Sequence, residues 1–447
     1  MRIGVFGQQW WTPACAALGH EAVPLPMPLE PPADKHHADA AARLAAGERG
    51  LERLRDERVD FLLDDAGSGL QFVSVGGGAG TAGGGEARAD SGAAAARRVA
   101  LLHERLGVPL VSHFIDAMPT ALQALPPMQR WQALQSRSWI KLVFDRAHAY
   151  ELRTFGVPNV LHMPIGAVDR AYDTRPIDPG QFTGAISFAG SQLGTYFYPG
   201  RQHEARSQLP GLVALSVRAT KPDTVFFDVY HGLYGFAEGP RAGEPVADRV
   251  AKMEQYYAAR IFYNAALWVA QRDRFVLFLR RALPDAFRLV GRNWNQAYGL
   301  SAEPPIDSYD QFLDAHRRAM ININLVSGNA ETGVNMRTFE ITAAGGFMLH
   351  QWRPELAECF EIGQECDAFR DEEELLAKCR YYLSNPQRVV EVAAAGQRRT
   401  LRQHLFSHRL AALLPLTTQV TASTGSPGAG ARPAQAPPGE SRFVASR

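Results

Sequence analysis

The stretch from Ala319 to Trp352, AMININLVSGNAETGVNMRTFEITAAGGFMLHQW, constrains the chain most, because strand, loop, helix and strand follow one another without interruption. In Met320 to Val326 the apolar Ile321, Ile323 and Leu325 alternate with Asn322 and Asn324, the period-two pattern of a strand. Asparagine amides are unusual in a parallel strand buried on both faces, so these two require polar partners. Downstream, Asn335 can serve as N-cap, and Met336, Phe339 and Ala343 recur at helical spacing. Gly345-Gly346 can end the helix in a left-handed turn before Phe347 to Leu349 resume a strand. The result is a βαβ unit with its helix start aimed at a loop. In open parallel sheets ligands lie off the carboxyl ends of strands, where free helix N–H groups favour anions. Arg337 and Glu340 would flank such a site, and an anion that also bears hydroxyl groups would suit both.

A chain of 447 residues exceeds the roughly 250–300 at which single cores stop growing, so two domains are expected. With 47 Lys+Arg against 46 Asp+Glu the formal charge is +1, which gives no global field to recruit nucleic acid or an anionic membrane. No uncharged apolar run approaches the roughly 18 residues of a spanning helix, and the N-terminus lacks a signal-type apolar core. The expectation is a bacterial-type cytoplasmic enzyme. Cys15, Cys359, Cys366 and Cys379 form no C-x-x-C pair and read as reduced packing residues.

Met1 to Gly7 and Glu21 to Leu25 read as strands around a helix from Thr12 to Gly19, an α/β opening. Val59 to Leu63 and Leu70 to Val75 are further strands, and Arg97 to Leu106 reads as a helix. Within the glycine-rich segment that follows Val75, Gly78, Gly80 and Gly83 satisfy G-x-G-x-x-G. Glycine repeats generate that spacing by chance, and no acid-ended strand follows, so a dinucleotide site is not expected there. VPLVSHFIDAMP is a strand with its loop, in which His113 is either a local hydrogen-bonding residue or, with Asp116, part of a site at the strand end. Ser138 to Val143 and Val157 to Met163 close the first unit, and Asp169 to Gly184 reads as a linker. Ala185 to Gly190 opens the second. Arg241 to Arg281 reads as helical, with Tyr256, Tyr257, Phe262, Tyr263 and Trp268 forming a stripe that is core or, as the lesser reading, a platform for an acceptor. Val389 to Leu414 is a long helical run, and the sequence from Thr417 holds too few large apolar residues to bury.

The pattern N-x-R-x-F-E-x-x-A-x-G-G-F, then L-x-x-x-F at Leu356 to Phe360 and EEELLAKCRYYLSNP, resembles the C-terminal half of the GT-B glycosyltransferases. Within these it is most similar to the spore-maturation, CgeB-like group. The resemblance implies an α/β fold of GT-B architecture, two Rossmann-like domains facing an inter-domain cleft with a C-terminal helix crossing back. Residues 1–170 would form the acceptor domain, with a flexible loop over 76–92, and 185–385 the donor domain. Residues 386–414 would be the crossover helix and 415–447 a disordered tail.

The activity implied is transfer of a sugar from a nucleoside-diphosphate sugar to a glycan or protein acceptor, polysaccharide and cell-surface acceptors included. No metal and no cofactor beyond the donor are expected. The resemblance gives Glu340 the ribose hydroxyls and Arg337 the diphosphate, near which it places Gly190 and Ser191, with Asn335 at the helix start. Gly291 would lie near the base. The strand-end motif suggests His113 and Asp116 for catalysis. The plain alternative for Arg337 and Glu340 is an exposed ion pair within one helix. Many retaining members carry E-x7-E, whereas Glu331 precedes Glu340 by one residue more and Thr332 holds the matching position. Retention or inversion is therefore open. So is a non-catalytic GT-B-like binder of sugar or partner, and, more remotely, a sugar epimerase.

Overall fold

A computed structural model describes residues 1–6, 10–25, 51–52, 54, 57–65, 72–74, 99–115, 127–192, 205–234, 244–326 and 328–424. The chain is an α/β protein with two parallel sheets. The first contains β1 (Arg2–Phe6), β2 (Glu21–Leu25), β3 (Phe61–Asp65), β6 (Leu110–Phe114), β7 (Trp139–Val143) and β8 (Val160–His162), in the order β2-β1-β3-β6-β7-β8. β4 (Phe72–Ser74) and β5 (Val99–Leu101) pair with each other, antiparallel, outside that sheet. The helix expected over Arg97 to Leu106 is thus shortened to Leu102–Leu106, since Val99 to Leu101 are taken up in strand pairing.

The second sheet contains β9 (Gly184–Ala189), β10 (Phe287–Val290), β11 (Ala319–Asn324), β12 (Met348–Gln351) and β13 (Asp367–Phe369), ordered β10-β9-β11-β12-β13. Its strand order reverses at β9, whose chain successor β10 lies on one side and β11 on the other. That reversal opens a crevice at the carboxyl ends of β9 and β11, the place where parallel sheets hold ligands. The segment expected to be a βαβ unit is one: β11, the helix Met336–Ala343 and β12, parallel in register Asn322↔Met348 to Asn324↔His350.

Three cores hold the described residues together. One lies under the second sheet and includes Ile186, Phe275, Trp294, Phe347 and Tyr382. A second runs between the sheets, with Trp11, Phe61 and Ile140 meeting Val334, Phe339 and Phe406. In the third, the helices Phe226–Tyr234 and Val246–Leu267, which interrupt the second unit in sequence, pack on the first. Phe226, Tyr256 and Tyr263 share that core with Trp131, Trp139 and Phe155. Tyr256, Tyr257 and Tyr263 are therefore core residues, while Phe262 and Trp268 of the same stripe are half-buried.

The C-terminal helical run is broken. Pro386–Gln403 and Phe406–Thr424 are separate helices, and between them the chain pairs with the end of the first unit: Ala167 N donates to His404 O (2.8 Å) and Phe406 N to Ala167 O (2.9 Å). Gly166 has no side chain here because a Cβ would lie 2.9 Å from His404 O. Residues 415–424, placed in a disordered tail by the sequence, continue the last helix, and 425–447 lie outside the described residues, as does the loop 76–92.

Candidate functional site

The site begins at the helix start after β11. Asn335 caps the helix, its Oδ1 accepting from Thr338 N (3.2 Å), while its amide donates to Asn324 Oδ1 (3.1 Å). Asn324 returns a hydrogen bond to Asn335 Oδ1 and another to Thr338 Oγ1. Asn322 donates to His316 O (2.8 Å) and Phe347 O (3.1 Å) and meets the His316 ring at Nδ1 (2.7 Å). The buried amides of the strand thus find their partners within the protein and hold the helix start against β11.

Beyond that cap, Arg337 reaches over the crevice. Its Nη1 donates to Ala189 O at the end of β9 (2.6 Å), its Nε to Glu340 Oε2 (3.3 Å), and its guanidinium lies 4.4 Å from the Phe312 ring. The ion pair within the helix forms, with Glu340 buried and Arg337 partly exposed. Burial pushes its carboxyl above the usual range, against the opposing pull of Arg337.

The carboxyl end of β9 faces this pair. Gly190 leaves room that a side chain would fill, since a Cβ would stand 2.2 Å from an Nη of Arg272. Gly291 holds φ +143°, and a Cβ there would meet Gly190 O at 2.4 Å, so the two strand-end glycines let the loops touch. Arg292 N donates to Ser191 Oγ (3.0 Å), Asn293 to Gln192 O (3.0 Å) and Trp294 Nε1 to Gly190 O (2.7 Å). The loops after β9 and β10 are a single braced unit.

Arg272 is the residue the sequence did not reveal. It lies in a π-helical turn, Trp268–Asp273, between the helices Val246–Leu267 and Arg274–Ala282, within the run Arg241 to Arg281 that reads as one helical pattern. The turn lays its buried guanidinium 4.5 Å from the Trp268 ring and 5.1 Å from that of Phe188. Arg272 forms no ion pair among the described residues, and its Nε has no partner. Burial brings its pKa down to about 10, with Asp273 opposing the shift and Arg337 adding to it. Two arginines therefore converge on the glycine end of β9, one of them without a carboxylate ion pair among the described residues.

Farther along the same edge the two sheets are clasped. Asp145, at the end of β7, caps the helix Arg146–Thr154 by accepting from Ala147 N (2.9 Å) and His148 N (3.3 Å). Its other oxygen accepts from three consecutive backbone N–H groups after β11: Glu331 (2.6 Å), Thr332 (3.0 Å) and Gly333 (2.9 Å). The Thr332 hydroxyl stands between Asp145 Oδ1 (3.0 Å) and Glu355 Oε1 (2.7 Å). A glutamate at 332 would bring a third carboxylate against two others, which gives a physical reason for threonine at this position.

Beside the clasp, His148, Glu151 and Glu331 are close enough to share a metal ion. The buried Arg260 guanidinium fills that position, contacting Glu151 Oε1 (2.9 Å), Glu331 Oε1 and His148 Nε2. Arg218 adds a second cation 3.6 Å from Glu331 Oε2. Burial holds His148 down to about 4, so its imidazole is neutral beside the guanidinium.

Of the residues suggested for catalysis, His113 is fully buried between Trp11 and Phe406, with Nε2 on Met163 O (3.0 Å) and its pKa lowered by burial to about 4. It is not brought to the crevice. Asp116 lies outside the described residues. Gly190, Ser191, Gly291, Asn335, Arg337 and Glu340 do lie around the β9 and β11 ends. A cavity of about 530 Å³ lies elsewhere, between the linker Arg170 to Gln181 and the helix Tyr309–Arg318.

Residues 271–415 match the family described as glycosyl transferase-like, about a third of the chain. Sucrose-phosphate synthase from Thermosynechococcus elongatus is similar at 10% identity and TM-score 0.46, over 95% of this chain and 100% of that one. A glycosyltransferase from Rickettsia africae has 9% identity and TM-score 0.45, over 94% and 98%. Anabaena HepE in complex with UDP and glucose has 10% identity and TM-score 0.44, over 93% and 91%. No curated protein matches.

Proposed function

We propose that the chain is a GT-B glycosyltransferase, CgeB-like in type and cytoplasmic, that moves a sugar from a nucleoside-diphosphate donor to a glycan or protein acceptor. The observation that carries this reading is the convergence of Arg272 and Arg337 on Gly190, with the buried Glu340 one helical turn beyond Arg337. A leaving diphosphate gathers negative charge as its bond to the sugar breaks, and two preorganised guanidinium groups stabilise it most where water is excluded. Glu340, an acceptor of hydrogen bonds when ionised, suits ribose hydroxyls. The match of residues 271–415 to a glycosyl transferase-like family supports the same reading, because it includes all three side chains. Arg260, seated where a cation would bind among His148, Glu151 and Glu331, favours charge stabilisation by protein groups over a metal at that cluster.

The second reading, a non-catalytic binder, is favoured by Thr332, which replaces an acid by a hydroxyl tied up in the inter-sheet clasp. Incubation of the purified protein with a panel of nucleotide sugars, with released nucleotide measured by chromatography, separates the two. The transferase reading expects donor turnover with at least one sugar, reduced about 10-fold or more in Arg337→Ala and Glu340→Ala. Binding without turnover of any donor supports the binder. Turnover and donor affinity unchanged in both variants refute the site assignment.

A further inference from the structure

The inter-sheet face holds one pair that the reading above does not use. His162 ends β8, and Glu355 follows β12, so each stands at the carboxyl end of a parallel strand, one from either sheet. Their side chains meet at 2.7 Å between His162 Nε2 and Glu355 Oε2. The carboxylate is fixed: Oε1 accepts from Arg146 N (2.8 Å) and from the Thr332 hydroxyl (2.7 Å), and its side chain is 3% exposed. The imidazole is 11% exposed, and its Nδ1 makes no hydrogen bond among the described residues.

A carboxylate that accepts this hydrogen bond places a hydrogen on Nε2, and in the neutral imidazole the lone pair then lies on Nδ1. The other buried histidines of this face are occupied differently. His113 is enclosed by Trp11 and Phe406, and His148 meets a guanidinium. His350 lies between Thr338 Oγ1 and Gln351 O. Unlike these three, His162 is hydrogen-bonded to a carboxylate.

We infer that His162 is the proton acceptor of the transfer and that Glu355 is a positioning residue holding it in the required tautomer, an inference that rests on the transferase reading. In the step, the acceptor hydroxyl gives its proton to His162 Nδ1 while its oxygen bonds to the anomeric carbon. The bond from that carbon to the diphosphate breaks, and its electron pair leaves with the diphosphate toward Arg272 and Arg337. The clasp serves this geometry, because Thr332 donates its hydroxyl hydrogen to Glu355 and its backbone N–H to Asp145, which fixes the imidazole relative to the donor unit.

The test compares wild type, His162→Gln and Glu355→Gln with a donor and acceptor that the wild type turns over. Wild-type turnover tests the transferase reading alone; without it, both that reading and this inference fail. In His162→Gln the new amide can still donate to Glu355 but cannot take a proton. In Glu355→Gln the new amide can still accept from Thr332 and Arg146 while presenting N–H to the ring, which turns the tautomer over and puts hydrogen on Nδ1. Both variants are expected to lose about 10²–10⁴-fold in kcat with donor KM changed by less than about twofold. Transfer by His162→Gln within about threefold of wild type overturns the inference. Circular dichroism and donor KM separate loss of the base from loss of fold. If His162→Gln does not fold, Glu355→Gln decides, and wild-type kcat in that variant overturns the inference.

Discussion

Asp145→Asn replaces one buried carboxylate oxygen by an amide at the joint between the two sheets. In the native protein one oxygen serves the N–H groups of Glu331, Thr332 and Gly333, and the other caps a helix through Ala147 N and His148 N. Asparagine has a single oxygen. If that oxygen faces residues 331–333, the amide N–H groups confront the N–H groups of Ala147 and His148. Loss of the cap costs about 1 kcal/mol and an unsatisfied buried N–H about 1–3 kcal/mol. Three hydrogen bonds that were charge-assisted become neutral, at about 0.5–1 kcal/mol each, so the total is about 3.5–7 kcal/mol. This is a large share of the about 5–15 kcal/mol that holds an ordinary domain together.

Burial raises the carboxyl of Asp145, but the neighbouring His148, the N–H groups of Gly333 and Thr332 and the charge of Arg260 outweigh it, so its pKa lies below the usual value. A lowered carboxylate stabilises the fold above its unfolded pKa and loses that contribution as pH falls. The deficit of Asp145→Asn should therefore be full at pH 7 and shrink toward pH 3. Urea unfolding followed by circular dichroism measures it. A difference below about 1 kcal/mol at pH 7, or one that widens on acidification, would refute the account of the clasp.

Arg272→Gln should weaken donor affinity about 10-fold or more while leaving the unfolding midpoint nearly unchanged, read by isothermal titration with a nucleoside diphosphate; unchanged affinity would remove Arg272 from the site. Thr332→Glu, which restores the expected acid, should destabilise by at least about 3 kcal/mol because it faces Asp145 and Glu355, and soluble protein of wild-type stability would contradict this. Burial lowers His103, His316 and His350 to about 3 and His113, His148 and His404 to about 4. The native state then binds fewer protons than the unfolded chain as pH falls from about 6.5, and each histidine removes up to about 1.4 kcal/mol per pH unit. Urea midpoints should drop sharply between pH 7.5 and pH 5.5, and equal midpoints would show that these rings are hydrated.

Much of the fold was legible because it follows from local pattern. The strand 319–324, the cap at Asn335 and the helix 336–343 are set by residues within a few positions of one another, so period and capping chemistry reveal them. The glycines at 190 and 291 were legible as strand ends for the same reason. Arg272 was hidden because a π-turn leaves no mark in a helical pattern; the one available signal was an Arg-Asp-Arg cluster, which an exposed helix also displays. Val99 to Leu101 was misjudged because partner strands, and not local propensity, decided its state.

The sequence by itself determined the parallel α/β class, the βαβ unit and the placement of Arg337 and Glu340 at a helix start, since each depends on short-range periodicity and on capping. Tertiary structure alone decided which polar groups meet. Asp145 lies 186 residues from Glu331, and His162 lies 193 from Glu355, so no spacing rule joins them. They pair because the carboxyl edges of two sheets come together in a space closed to water, where an unpartnered carboxylate or N–H costs more than the chain can spare.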